Sequence, residues 1–146
     1  MTLEGYENLP GTALPAGTIT ISSSESTELD RVLGSEDNDS GRLHPLYAFI
    51  GAQRGIGASI PDICSYADFA VEDGPMMGTL EIELEEPMTP DVKYHVEGEI
   101  LDLVRKQGRT RGIFDLLTFR ERILDETGNV VATVTNSFVL PRKASS

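Results

Sequence analysis

Apolar positions along this chain follow a helical period in its first half and a period of two in its second. Residues 1–17 come before either pattern. They hold Pro10, Pro15 and three glycines, and read as an extended arm. Thr18–Ser22 is rich in β-branched residues and predicts a short strand. In SSSESTELDRVLGS, Leu29, Val32 and Leu33 have i, i+3, i+4 spacing, and Ser22 with Glu25 fits a capping box. A short helix is expected there. The following EDNDSGR is loop by composition. In HPLYAFIGAQRG, Pro45 suits a first helical turn. Leu46, Phe49 and Ile50 fall on one face, and Gly55 suits the C-terminal cap. SIPDICSYADFAV repeats the arrangement from Pro61, with Ile63, Ala67 and Ala70 sharing a face. Its few charges predict a second, buried helix.

From Gly74 onward the alternation is that of strands. Leu80, Ile82 and Leu84 alternate with Glu81, Glu83 and Glu85, which predicts one buried and one wet face. KYHVEGEILDLVRK places Tyr94, Val96 and Ile100 on one side, with a bulge expected at Ile100–Leu101. GIFDLLTFRERILD is a third long strand. ETGN is a turn in which Gly128 can take positive φ, and VVATVTNSFVLPR is a fourth strand with Val130, Ala132, Val134 and Phe138 on one face. One strand, then helices, then four long antiparallel strands predicts an α+β domain with its helices on one face of the sheet. The expected division is an arm over residues 1–17 and a domain over 18–143.

Composition narrows the partners. The 146 residues suit one domain with a single core, and 39% apolar with 25% charged residues is ordinary for a globular protein. No apolar run approaches the ~20 residues of a membrane span. The N-terminus lacks the basic start and apolar stretch of a secretion signal. The lone cysteine, Cys64, has no disulfide or metal companion, so a reducing cytoplasm is the expected setting. No metal or redox cofactor is implied. The net charge of −12 opposes nucleic acid and anionic lipid. Against that background Arg105, Lys106, Arg109 and Arg111 fall within seven positions. Such a patch suits a localised phosphate, or is a solvated hairpin tip.

The loop before the first long helical stretch carries candidate chemistry. Asp39 precedes His44 by five residues, and Asn38, Asp39, Ser40, Gly41, Arg42, Leu43 and His44 run into Pro45. This loop resembles the signature Gly-Asp-x-Asn-Pro-Leu-His of the MaoC-like hotdog hydratases and dehydratases, with aspartate, leucine and histidine in register. Gly41-Arg42 stands where that family has Asn-Pro, and Asp62-Ile63 where it has His-Gly. RGIGASI is similar to the family's turn into its central helix, and DETGNVVATVTNSFVLPR to its last hairpin. The resemblance spans most of residues 18–142.

That resemblance implies a hotdog domain, an antiparallel sheet wrapped around a central helix. One such sheet leaves an edge open and a ligand space half formed, so pairing into a dimer is expected. It implies hydration or dehydration of an enoyl or 3-hydroxyacyl thioester carried on coenzyme A or a carrier protein. Asp39 and His44 would share the acid and base roles, and the backbone N–H of Ile63 would stabilise the thioester oxyanion. Arg42, Tyr47, Asp62, Arg105, Lys106 and Arg109 are the candidate substrate contacts. The alternatives are a non-catalytic subunit paired with an active hotdog partner, a thioesterase using Asp62 or Asp68, and a tailoring enzyme on a polyketide-like or steroid-like substrate. Plainer readings stand beside these. His95 fits a structural strand position, Asp62 a helix end, and Cys64 a small buried group. Tyr47 and Tyr66 fit packing roles, and Met76 and Met77 fit core filling or an apolar acyl site.

Overall fold

The structure is a computed structural model that describes residues 3–32, 43, 46–109 and 112–142. Five strands form one antiparallel sheet: β1 (Ala13–Thr20), β2 (Met76–Leu84), β3 (Lys93–Gln107), β4 (Ile113–Leu124) and β5 (Val130–Pro141). Their order across the sheet is β1-β3-β4-β5-β2. The three long central strands carry the strict alternation read in the sequence. Val96, Ile100 and Leu103 of β3, Leu117, Phe119 and Ile123 of β4, and Ala132, Val134, Phe138 and Leu140 of β5 are buried on one face. Phe119 and Phe138 meet edge to face at 5.0 Å between ring centres. The β3–β4 register slips between Ile100 and Asp102, which places the bulge at Leu101 as expected. Gly128 has φ +88° in the β4–β5 turn.

The described residues also form three short helices, α1 (Ser23–Val32), α2 (Leu46–Gly55) and α3 (Ile60–Ser65), followed by a 3-10 turn at Val71–Asp73. The helix laid across the sheet is α2, which touches every strand. The face it turns to the sheet is not the Leu46, Phe49, Ile50 face predicted from apolar spacing. Tyr47, Ala48, Gly51, Ala52 and Gly55 are buried instead, while Phe49 and Ile50 are half-buried. The reason is distance. A Cβ on Gly55 would stand 2.4 Å from Val96 Cγ2, and one on Gly17 of β1 would stand 1.9 Å from the Gly55 carbonyl oxygen. Backbone meets backbone here, so small residues must line the contact.

Other boundaries also differ from the sequence reading. β1 begins at Ala13, within the expected arm, and Pro15 sits where its register slips between Leu14 and Gly17, at the sheet edge. The segment before it is docked on β3, through Leu3 N–H to the Leu103 carbonyl and Gly11 N–H to the Ile100 carbonyl (both 2.7 Å). The second predicted helix stops at Ser65, because Asp68 takes φ +52° and its N–H and that of Phe69 close on the Ser65 and Cys64 carbonyls. Phe69 is therefore buried and Ala70 exposed. In α1, Ser22 Oγ accepts from the Glu25 N–H (3.2 Å), one half of the expected box, but Val32 is exposed. β2 is an edge strand. Its predicted buried face is largely open, with Leu80 38% and Leu84 39% exposed.

Candidate functional site

A cavity of about 310 Å³ lies where the C-terminal half of α2 and the start of α3 stand over β4 and β5. Ile50, Ile56 and Ile63 form its walls with Phe119 and Phe138, and Gln53, Arg54 and Ser59 also line it. The local sequence explains the shape. Gly57 leaves room for Pro15 and Ala16, since a Cβ there would come within 3.0 Å of both. Ser59 caps α3 through a capping box with Asp62, accepting from the Asp62 N–H (3.3 Å) while the Asp62 carboxylate accepts from the Ser59 N–H (3.0 Å). These bonds hold the Asp62 carboxyl below its ordinary range.

Among the described residues one acid lines this cavity. Glu121 of β4 is fully buried, and its Oε1 accepts from Asn136 Nδ2 at 3.0 Å. Desolvation pushes its carboxyl up to about 7, and the Asn136 hydrogen bond offsets only part of that. A second inward acid, Asp115, lies further along β4 and is neutralised. Arg105 donates to it through Nε (2.8 Å) and a terminal nitrogen (3.1 Å), and Arg142 through Nε (2.7 Å). Burial alone would raise the Asp115 carboxyl, but these bonds and charges outweigh it and lower it. Neither acid was singled out in the sequence. The signal was there: Asp115, Leu117, Phe119, Glu121 and Ile123 share one parity of an alternating strand.

Of the predicted site residues, Asp39, Arg42 and His44 lie outside the described residues, as does Arg111. Their neighbours are placed: buried Leu43 donates its N–H to the Met88 carbonyl (2.7 Å), and α2 begins at Leu46. Tyr47 is a packing group whose hydroxyl donates to the Glu25 carbonyl (2.8 Å). Ile63 does line the cavity, but its N–H donates to the Ser59 carbonyl (3.0 Å) and so closes a helical turn rather than offering a free oxyanion donor. Asp62 serves the cap. Arg105 is drawn back along β3 to Asp115, its direct cross-strand partner, which divides the basic cluster. Lys106 is exposed, and Arg109 stands beside Met76, Phe114, Val139 and Pro141 around a second, apolar cavity of about 530 Å³. Cys64 is buried, which raises its thiol, and Tyr66 is half-buried against the core. His95 is exposed on β3 opposite Thr18 and Leu124. Among the described residues no three metal-ligating side chains converge, and no helix is long and apolar enough to cross a membrane.

An antiparallel sheet with a helix laid across one face is the arrangement of the hotdog fold, and this chain has it. No protein-family model and no curated protein sequence matches the chain. Solved structures do. A monoamine oxidase regulatory protein from Archaeoglobus fulgius superposes with TM-score 0.67 at 9% identity, over 99% of this chain and 96% of that one. The ChsH1-ChsH2 complex from Mycobacterium tuberculosis gives TM-score 0.67 at 14% identity, over 90% and 84%. The HadBC (3R-hydroxyacyl-ACP dehydratase) complex from the same organism gives 0.65 at 12% identity, over 90% and 96%.

Proposed function

We propose that this chain is a hotdog hydratase or dehydratase acting on an enoyl or 3-hydroxyacyl thioester, with Asp39 and His44 as its acid/base pair. The observation that carries this reading is the hotdog sheet itself, found independently of the loop whose residues resemble that of the MaoC-like enzymes. The HadBC complex, similar in fold, is named as a dehydratase of a carrier-bound hydroxyacyl group. In hydration one member of the pair takes a proton from water, the hydroxide adds to the β-carbon, and a proton is delivered to the α-carbon. The thioester handle, from coenzyme A or a carrier protein, meets Lys106 and Arg109 beside the apolar cavity at Met76, with Arg42 as a further contact. The protein works in the cytoplasm as a dimer or as one subunit of a hotdog pair.

A second reading is a non-catalytic hotdog subunit. Its support is the altered loop, with Gly41-Arg42 in place of Asn-Pro, and the two-component complexes among similar structures. A thioesterase is less favoured. Helix α2 carries no carboxylate, Asp62 is held in the α3 cap, and Asp68 accepts from the Tyr6 hydroxyl (2.7 Å).

Crotonyl-coenzyme A incubated with the purified chain separates the three. Loss of enoyl absorbance without free thiol supports hydration. Asp39→Asn and His44→Gln should then each lower the rate ~10²–10⁴-fold with the fold intact. Free thiol points to the thioesterase, and activity that appears only on adding a second hotdog subunit points to the mute partner.

A further inference from the structure

The function proposed above makes no use of Glu121, yet its carboxyl is built into the cavity under α2 and α3. Glu121 Oε1 holds Asn136 Nδ2, while Oε2 is equally buried and has no partner among the described residues. A buried polar atom left unpaired costs about 1–3 kcal/mol. Glu121 borders a space walled by Ile63, Phe119 and Phe138. Because Oε1 is already an acceptor for the amide, the neutral acid carries its proton on Oε2 and seeks an acceptor there. The apolar walls favour an uncharged one.

We propose that this cavity binds an apolar molecule through a carbonyl oxygen, which accepts a hydrogen bond from Glu121 Oε2. Burial keeps the acid neutral to about pH 7, so it can donate under ordinary conditions. The surrounding charges leave that state undisturbed. Arg54 of α2 also lines the cavity but is paired with Glu25 of α1 (2.5 Å). Asp62 of α3 is exposed and held in its cap. Arg120 and Arg122 of β4, with Glu97 and Glu99 of β3, alternate onto the opposite face of the sheet and pair there. Glu81 and Glu83 of β2 are opposite Thr135 and Thr133, on that same outer face. Asp115, inward on β4, is taken by Arg105 and Arg142. The proposal concerns binding and stands whether or not Asp39 and His44 catalyse.

The test uses the full chain and two probes of one shape, 2-octanone and 2-methyl-1-octene, titrated by NMR on the Ile63 and Phe119 amides. The ketone should bind more tightly than the alkene at pH 5.5. Its affinity should fall about tenfold or more by pH 8.5, as the donating form is depleted. Glu121→Gln, which keeps a donor and cannot ionise, should bind the ketone equally at both pH values. Glu121→Leu should lose the preference for ketone over alkene while its amide spectrum stays dispersed. Equal affinity of the parent for both probes, a pH-independent ketone affinity, or shifts confined to other residues would overturn the proposal. Because no turnover is read, failure here is distinct from failure of the thioester assay.

Discussion

Arg142, at the end of β5, donates through Nε to the buried Asp115 of β4 at 2.7 Å, and the same guanidinium reaches the carbonyls of Ala67 and Asp68. It also lies 5.4 Å from the centre of the Phe69 ring. One side chain thus ties the sheet to the turn that ends α3. Asp115→Asn should destabilise the fold by ~2–3 kcal/mol, less than for a fully buried pair because Arg105 is half exposed. The contribution of a carboxyl held below its ordinary value is present at neutral pH and lost as pH falls through the folded value. Urea unfolding should therefore show the gap between Asp115→Asn and the parent shrinking as pH falls below the ordinary aspartate value of about 4.

Glu121 has the opposite sign. Its folded value, about 7, lies above the ordinary glutamate value of 4.5. The native state holds its proton more tightly than the unfolded chain does. Stability from this group is full below the ordinary value and lost as pH rises through about 7, to a total of ~3 kcal/mol. Glu121→Gln should flatten that part of the pH–stability curve between pH 5 and 8. A parent curve equal in slope to the variant's would show that Glu121 is not desolvated.

Two glycines of α2 should respond in opposite directions. A Cβ at Gly51 meets its nearest atoms at 3.7–3.8 Å, ordinary contact, whereas one at Gly55 meets Val96 at 2.4 Å. Gly51→Ala should stabilise by ~0.5–1 kcal/mol through helix propensity. Gly55→Ala should cost ~1–3 kcal/mol by forcing helix and sheet apart. Thermal melts of the two variants give the comparison directly.

Leu80, Ile82 and Leu84 form an apolar row on β2, whose outer edge has no strand beside it among the described residues. A second copy covering this row and the half-buried Phe49–Ile50 face of α2 would form the proposed dimer, with more than ~1,000 Å² buried. The double variant Leu80→Glu and Leu84→Glu should sediment as a monomer at micromolar concentration. A parent that is already monomeric there would remove the dimer from the functional reading.

Local pattern alone determined much of this protein. The alternation of β3, β4 and β5, the bulge at Leu101, the Gly128 turn and the helix starting beside Pro45 are all visible in the sequence. They follow from side-chain parity and backbone freedom, which neighbours in sequence settle between themselves. The loop of Asp39 and His44 stood out in the sequence as candidate chemistry, and its placement lies outside the described residues. Tertiary structure decided the rest. Periodicity favoured the Leu46, Phe49, Ile50 face of α2, but packing chose the face with Ala48, Gly51, Ala52 and Gly55. A helix pressed backbone to backbone against Gly17 can present only small residues. Strand order, with β2 last after β5, left Leu80 and Leu84 open although their pattern reads as buried. Register set Arg105 directly across from Asp115 and took it from the expected phosphate patch. Glu121 became a cavity acid for the same reason: its inward parity was written in the chain, but its burial and its hydrogen bond to Asn136 exist only once β5 and the helices close over it.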